Sequence, residues 1–209
     1  MRASTEECEM LTPEQILENY NKFEALAMKT GEHRQAGLKQ FFNHFGERLA
    51  MCPASSKLEF HNAFAGGLVE HSLRVLTNTI KLTKAMDIKV SQEEMIFACL
   101  FHDIGKLGDL DQERYIEQDE DYWRKRGNVY KINQKARFMT VPHNSMFLLQ
   151  HFGIRVSYDE SMAIILNDGH FDVVNEPYKM KEPDLAVIVH QADLLSTRFE
   201  KHRTHGESK

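Results

Sequence analysis

The chain has 209 residues, with 26 Lys and Arg against 31 Asp and Glu and a net charge of −5. That length suits one domain with a sizeable core, and 42% hydrophobic with 27% charged residues is the composition of an ordinary soluble globular protein. The acidic balance argues against a dedicated duplex-DNA binder, and no run approaches the ~18–20 apolar residues of a membrane span. Residues 1–9 are polar and acidic without an apolar signal core, which argues against secretion. Three unpatterned cysteines, Cys8, Cys52 and Cys99, fit reduced thiols in a cytoplasm better than a disulfide framework.

Thr12-Pro13-Glu14-Gln15 predicts a helix start: a hydroxyl cap, proline at the first helical position and a glutamine that reaches back. Ile16, Leu17, Tyr20, Phe23 and Ala27 then form one apolar face out to Gly31. A second helix is expected over about 33–50, with Leu38, Phe41, Phe42, Phe45 and Leu49 inside and Pro53 ending it. The helix after Gly66-Gly67 carries His71 and turns Leu73, Leu76 and Ile80 inward. Ser91-Gln92-Glu93-Glu94 reads as another capping box, launching Met95, Ile96, Cys99 and Leu100 toward His102. Further helices are expected over about 144–152, from the Ser157–Glu160 cap to Leu166, and after Pro183. The last of these buries Leu185, Ile188, Ala192, Leu195 and Phe199. A short β-hairpin fits only within 127–141. The reading is an all-α bundle: a helical extension over 1–57 packed on a domain over 58–200, and a polar tail over 201–209.

The chemistry concentrates at His102-Asp103, placed at the end of an apolar run just before Gly105. Helical neighbours point about 100° apart, so two adjacent ligand-type side chains need a break in the helix, which Gly105 is expected to supply. His71 lies upstream. Asp193 lies downstream among Val187, Ile188, Val189, Ala192, Leu194 and Leu195, where an unpaired carboxylate is very costly and needs an arginine, a cation or a metal. His71, His102, Asp103 and Asp193 together offer two nitrogens and two carboxylates to one divalent cation. Without a thiolate the set suits Mn²⁺, Fe²⁺, Co²⁺, Zn²⁺ or Mg²⁺ alike. Cys99, one turn inside the helix, reads as a small apolar filler.

These pieces resemble the HD-domain metal-dependent phosphohydrolases from about residue 58 to 199. The matching segments are Gly66-Gly67-Leu68-Val69-Glu70-His71-Ser72, Phe101-His102-Asp103-Ile104-Gly105-Lys106, Val141-Pro142-His143-Asn144-Ser145, Asn167-Asp168-Gly169-His170 and Gln191-Ala192-Asp193. Residues 53–68 are similar to HD domains of 3′–5′ exoribonucleases and certain relaxases, and the insert at Trp123 is similar to small stand-alone HD proteins of bacteriophages. The resemblance implies an HD helical bundle in which metal-activated water cleaves phosphoesters.

Family members with two metals place further histidines before the last aspartate. His143 fits one such place, with His170 as a weaker partner for a second ion; Asn167-Asp168-Gly169 departs from the His-Asp-Gly or His-His-Gly pattern. His143, Lys106, Asp168 and Glu70 are the candidate acid–base and phosphate-contacting residues, and His61 a candidate to orient the ligands from behind. Residues 109–121 hold seven acidic groups and only Arg114 as a cation, whereas 124–137 hold six basic groups and no acid. Trp123 and Tyr130 beside Arg124, Lys125 and Arg126 suit a nucleobase and its phosphates, and a solvated hairpin that neutralises itself is the other reading. The expected substrate is a small nucleotide, because the chain is acidic and holds no separate nucleic-acid module. A 3′–5′ exonuclease acting on nucleic-acid ends and a non-catalytic metal-containing binding module are the alternatives. No membrane partner is expected, and a homo-oligomer is left open.

Overall fold

The computed structural model describes residues 10–204. Residues 1–9, with Cys8 and the start of the expected extension, and 205–209 of the expected polar tail lie outside it. The element order is α1 (Pro13–Ala27), α2 (Gln35–Met51), α3 (Gly67–Met86), α4 (Gln92–Phe101), β1 (Tyr115–Glu117), α5 (Asp121–Arg124), β2 (Tyr130–Ile132), α6 (Val141–His151), α7 (Tyr158–Ile165) and α8 (Asp184–Thr204). Short 3₁₀ turns precede α2, follow α4 and join α7 to α8.

The bundle is organised around α4. Seven consecutive residues, Met95 to Phe101, are buried, so beyond its first turn this helix has no solvent face. It packs against α3, α7, α8 and α1, while α3 also packs along α8. The N-terminal pair α1–α2 closes one side through phenylalanines. Phe101 meets Phe23 at 5.7 Å and Phe41 at 5.8 Å between ring centroids, mostly edge to face, and Phe97 stacks on Phe101 at 4.7 Å. Thus the helix that delivers His102 and Asp103 is held rigid on every side.

Helix starts follow the sequence closely where caps are complete. Thr12 with Gln15 and Ser157 with Glu160 each form the reciprocal box. At Ser91 only the forward half forms: its hydroxyl accepts from the Glu94 amide, but the Glu94 carboxylate instead accepts from the Ser157 hydroxyl at 2.6 Å. That bond between α4 and α7 outcompetes the local one. Four expected core residues are exposed, namely Leu17, Ile80, Leu195 and Phe199. All four stand on α1, α3 or α8, where nothing among the described residues covers the outer face; amphipathic spacing alone does not say how wide the covered stripe is. The hairpin is also displaced. Its first strand, β1, lies in the acidic half of the insert and pairs Tyr115 with Ile132 and Glu117 with Tyr130, so only β2 falls within 127–141. The insert is pinned to the loop before α3 by an isolated bridge between Lys57 and Asn128. Among the described residues no helix is long and apolar enough to cross a membrane.

Candidate metal centre

The break after α4 is made by Asp103 rather than by Gly105. His102 still has helical backbone angles, but Asp103 sits at φ −111°, ψ 8°, in the sparsely allowed bridge region, which swings its carboxylate back toward its neighbour. Gly105 is needed for another reason: a β-carbon there would collide with the Val141 carbonyl oxygen, because the start of α6 lies directly on this turn. The turn is then locked by α6. Ser145 Oγ donates to the His102 carbonyl at 3.0 Å and accepts from the Gly105 amide at 2.9 Å. Asn144 Nδ2 donates to the carbonyls of Gly105 and Gly108, both at 2.8 Å.

His71 arrives from the second turn of α3. Gly66 adopts a left-handed conformation (φ 80°) that redirects the chain into this helix, and a β-carbon on Gly67 would strike the Asn62 carbonyl. His71 and His102 are both fully buried. His102 Nδ1 lies 2.9 Å from the Cys99 carbonyl, so that nitrogen carries the proton and Nε2 presents its lone pair inward. Nε2 is buried and, among the described residues, without a hydrogen-bond partner. Ligating atoms of His71, His102 and Asp103 all lie within 4.8 Å of one another. Asp193 joins at the His71 edge, with Oδ1 3.0 Å from His71 Nε2, while Asp103 Oδ2 stands 3.7 Å from the same nitrogen and 3.4 Å from His102 Nε2. An inward lone pair held from behind by a carbonyl, beside two carboxylates, is the donor set of a divalent cation. The residues present fit the group.

The electrostatics agree. Burial pushes the Asp103 carboxyl up, but the Lys106 ammonium, with His102 and His71, outweighs it and holds Asp103 well below the usual carboxylate range. Burial likewise opposes ionisation of Asp193, and its bond to His71 again wins. Lys106 loses from burial and gains more from Asp103, so it stays charged above the ordinary lysine range. The His61 ring lies 4.6 Å from that of His71; burial first, then the neighbouring His71, keeps it well below the usual imidazole range.

The other expected residues are distributed as follows. Lys106 Nζ lies 2.5 Å from Asp103 Oδ2. Asp168 is open to solvent, yet its carboxyl titrates above the ordinary range through desolvation and the negative charges of Asp103 and Asp193. Glu70 bonds to Asn62 and Arg74. His143 is exposed on α6, its Nδ1 2.7 Å from Thr140 Oγ1; its neighbours Asn144 and Ser145 are the ones that face the His-Asp turn. His170 pairs with Glu182 at 2.9 Å. In the insert, Trp123, Arg124, Lys125 and Arg126 are exposed; Arg124 pairs with Asp121 and Arg126 lies 4.1 Å above the Tyr122 ring. Only Tyr130 of that group turns inward, onto a cavity shared with Lys106.

A family model described as HD domain matches residues 68–198, well over half of the chain. The chain therefore belongs to the HD domain family, whose members bind divalent metals and act generally as metal-dependent phosphohydrolases. No curated protein and no solved structure matches it. Sequence reasoning did not single out Arg48, Tyr115 or Asn144. Arg114 had one visible signal, as the lone cation in an acidic run.

Proposed function

We propose that the chain is a metal-dependent phosphohydrolase that cleaves phosphoester or phosphoanhydride bonds of small nucleotides. The observation that carries this reading is His102, whose Nδ1 is committed to the Cys99 carbonyl and whose inward Nε2 has only the metal-ligand set for company. His71, His102, Asp103 and Asp193 hold the ion. An ion so held polarises a phosphoryl oxygen and lowers the pKa of a bound water toward ~7. Lys106, already seated on Asp103, presents a point charge to a substrate phosphate. Asp168, whose carboxyl is raised by desolvation and by the negative charges of Asp103 and Asp193, is the candidate acid for the leaving oxygen. Glu70 acts at one remove, by fixing Asn62 and thereby the approach to α3. His143 and His170, each engaged elsewhere, support one ion better than two.

The test is a screen of the purified protein with Mn²⁺, Co²⁺, Zn²⁺ and Mg²⁺ against nucleoside mono- and triphosphates, cyclic nucleotides and short RNA. Metal-dependent turnover of a small nucleotide is expected, abolished in Asp103→Asn. Absence of turnover with every metal would sink the reading.

A second reading, a 3′–5′ exonuclease, is favoured by one surface. Phe60, Tyr122 and Trp123 are exposed, with Lys57 Nζ 5.5 Å from the Phe60 ring and Arg126 on Tyr122. Stacking rings interleaved with cations suit a single strand.

A further inference from the structure

Behind Lys106 lies a cavity of about 370 Å³ that the metal centre does not use. Its walls come from the end of α2, the 3₁₀ turn after His102-Asp103, and the β1–β2 ribbon. Tyr115, Glu117 and Tyr130 stand on one face of that ribbon, since directly paired residues of an antiparallel ladder share a face. The volume is at the small end for a ligand pocket, enough for a few phosphate groups and too little for a polymer.

Its charge is what sets it apart. Three cations line it: Arg48, Lys106 and Arg114. All three are partly buried, while the two lining carboxylates, Glu113 and Glu117, are exposed to solvent. Arg48 Nη1 donates to the Asp109 carbonyl at 2.6 Å, and Arg114 Nη1 to the Met139 carbonyl at 3.3 Å. Neither guanidinium forms an ion pair among the described residues, and Arg114 Nε is buried without a hydrogen-bond partner there. Each is therefore fixed by a neutral carbonyl at one nitrogen and has donors left over. Two anchored guanidinium forks outside any ion pair among the described residues, in a partly desolvated cavity, form an anion site. Tyr115 and Tyr130 add phenolic donors; burial, then the nearby Glu117, raises the Tyr130 phenol above its ordinary value.

We infer that this cavity is an oligophosphate pocket, taking the phosphates of a small nucleotide that lie beyond the one at the metal centre. The inference rests on the function proposed above. Lys106 joins the two compartments, because its side chain lines the cavity and its ammonium touches Asp103. A chain of phosphates can thus run from the His-Asp site across Lys106 to the two arginines. The substrate class is a nucleoside di- or triphosphate rather than a monophosphate or a nucleic-acid end.

The experiment is titration calorimetry of the full-length chain with inorganic tripolyphosphate, with inorganic phosphate as the comparison. Tripolyphosphate is expected to bind far more tightly than phosphate. Arg114→Gln and Arg48→Gln should each weaken it by about tenfold or more, the loss of one charge-assisted contact, and Arg114→Lys should fall between. Tyr130→Phe, which deletes a single hydroxyl and leaves the ribbon intact, should weaken it severalfold and covers the case of an arginine variant that does not fold. Asp193→Asn should lose metal yet keep tripolyphosphate binding. Equal affinity for phosphate and tripolyphosphate, or unchanged affinity in the folded arginine variants or in Tyr130→Phe, would overturn the inference. Because the readout is binding, a protein that holds tripolyphosphate here but cleaves no nucleotide would refute the hydrolase reading and leave the pocket standing.

Discussion

Lys106 Nζ lies 2.5 Å from Asp103 Oδ2, so a fixed positive charge sits against the carboxylate that shares the candidate metal cluster with His71 and His102. The pairing puts two cations in competition for one carboxylate. At 4 Å and an effective dielectric near 20, two like charges repel by ~4 kcal/mol, and partial solvation of Lys106 reduces that figure. Lys106→Met should therefore bind Mn²⁺ more tightly, by about tenfold, which is about 1.4 kcal/mol. It should at the same time hydrolyse nucleotides more slowly, because the charge that meets the phosphate is gone. Calorimetry of metal binding beside steady-state kinetics checks both. Weaker metal binding in the variant would mean that Lys106 orients Asp103 more than it competes for it.

Asp193→Asn keeps the shape of the side chain and removes its charge. Asp193 Oδ1 meets His71 at 3.0 Å, so the substitution disturbs both the ligand set and the imidazole that faces it. Metal binding and folding are linked, and saturation at a hundredfold excess over Kd adds about 2.7 kcal/mol. The variant's melting temperature with metal should fall to the metal-free value, with activity lost. A variant that still gains stability on adding Mn²⁺ would remove Asp193 from the ligand set.

Of the four residues read in the sequence as one set, the structure brings His71, His102 and Asp103 within 4.8 Å of one another and sets Asp193 against His71; His102-Asp103 stood out after Cys99-Leu100-Phe101 and Asp193 after Ala192, because each placed costly chemistry in an apolar run. The mechanism of the turn was not. Gly105 reads as a helix breaker, yet it is the close approach of α6 that demands glycine, and a contact between segments 36 positions apart has no local signature. The same limit hid Asn144 and Ser145 behind the more conspicuous His143. It also hid the anion cavity, whose arginines come from α2 and from the edge of a ribbon that alternation in sequence placed elsewhere.

Ser145→Ala tests that lock. It leaves the Gly105 amide and the His102 carbonyl without their hydroxyl partner in a buried turn. An unsatisfied buried donor costs about 1–3 kcal/mol, so chemical denaturation should show a loss of that size with an unchanged m-value. Metal affinity should fall as well, since the turn sets where Asp103 points. Loss of stability with metal affinity intact would assign Ser145 to packing alone.

Arg34 and Glu160 form a buried pair at 2.7 Å that ties the start of α2 to the start of α7. Desolvation still wins at Glu160, whose folded-state pKa is raised above its ordinary value despite the arginine. A group raised in the folded state contributes stability that is fully present below its unfolded pKa, near 4.5, and is lost as pH rises through the folded value. Arg34→Ala should raise it further, leaving a lone buried carboxylate at neutral pH, at a cost of about 3–5 kcal/mol. The deficit measured by denaturant unfolding should therefore be large at pH 7.5 and smaller at pH 4.5, where Glu160 is protonated. The remainder at low pH is the lost contact of the guanidinium with the Phe97 ring, 4.1 Å away. A deficit independent of pH would show that the pair contributes through packing and not through charge.

The outer turn of the insert separates the two substrate readings. Arg124 is paired with Asp121, Arg126 rests on Tyr122, and Trp123 is exposed, whereas Tyr130, unlike these three, lines the cavity beside Lys106. For a small nucleotide held at the metal centre and the cavity, Trp123→Ala and the triple change of Arg124, Lys125 and Arg126 to alanine should leave kcat and KM close to the parent. For a single strand running over Phe60 and Trp123, each lost stack is worth about 1–3 kcal/mol, and the triple variant should flatten the salt dependence of oligonucleotide binding, since each released counterion contributes to that slope. The expected result is unchanged nucleotide kinetics in both variants. A rise in KM confined to oligonucleotides, together with a reduced salt slope, would transfer the assignment to the exonuclease while leaving His71, His102, Asp103 and Asp193 where they are.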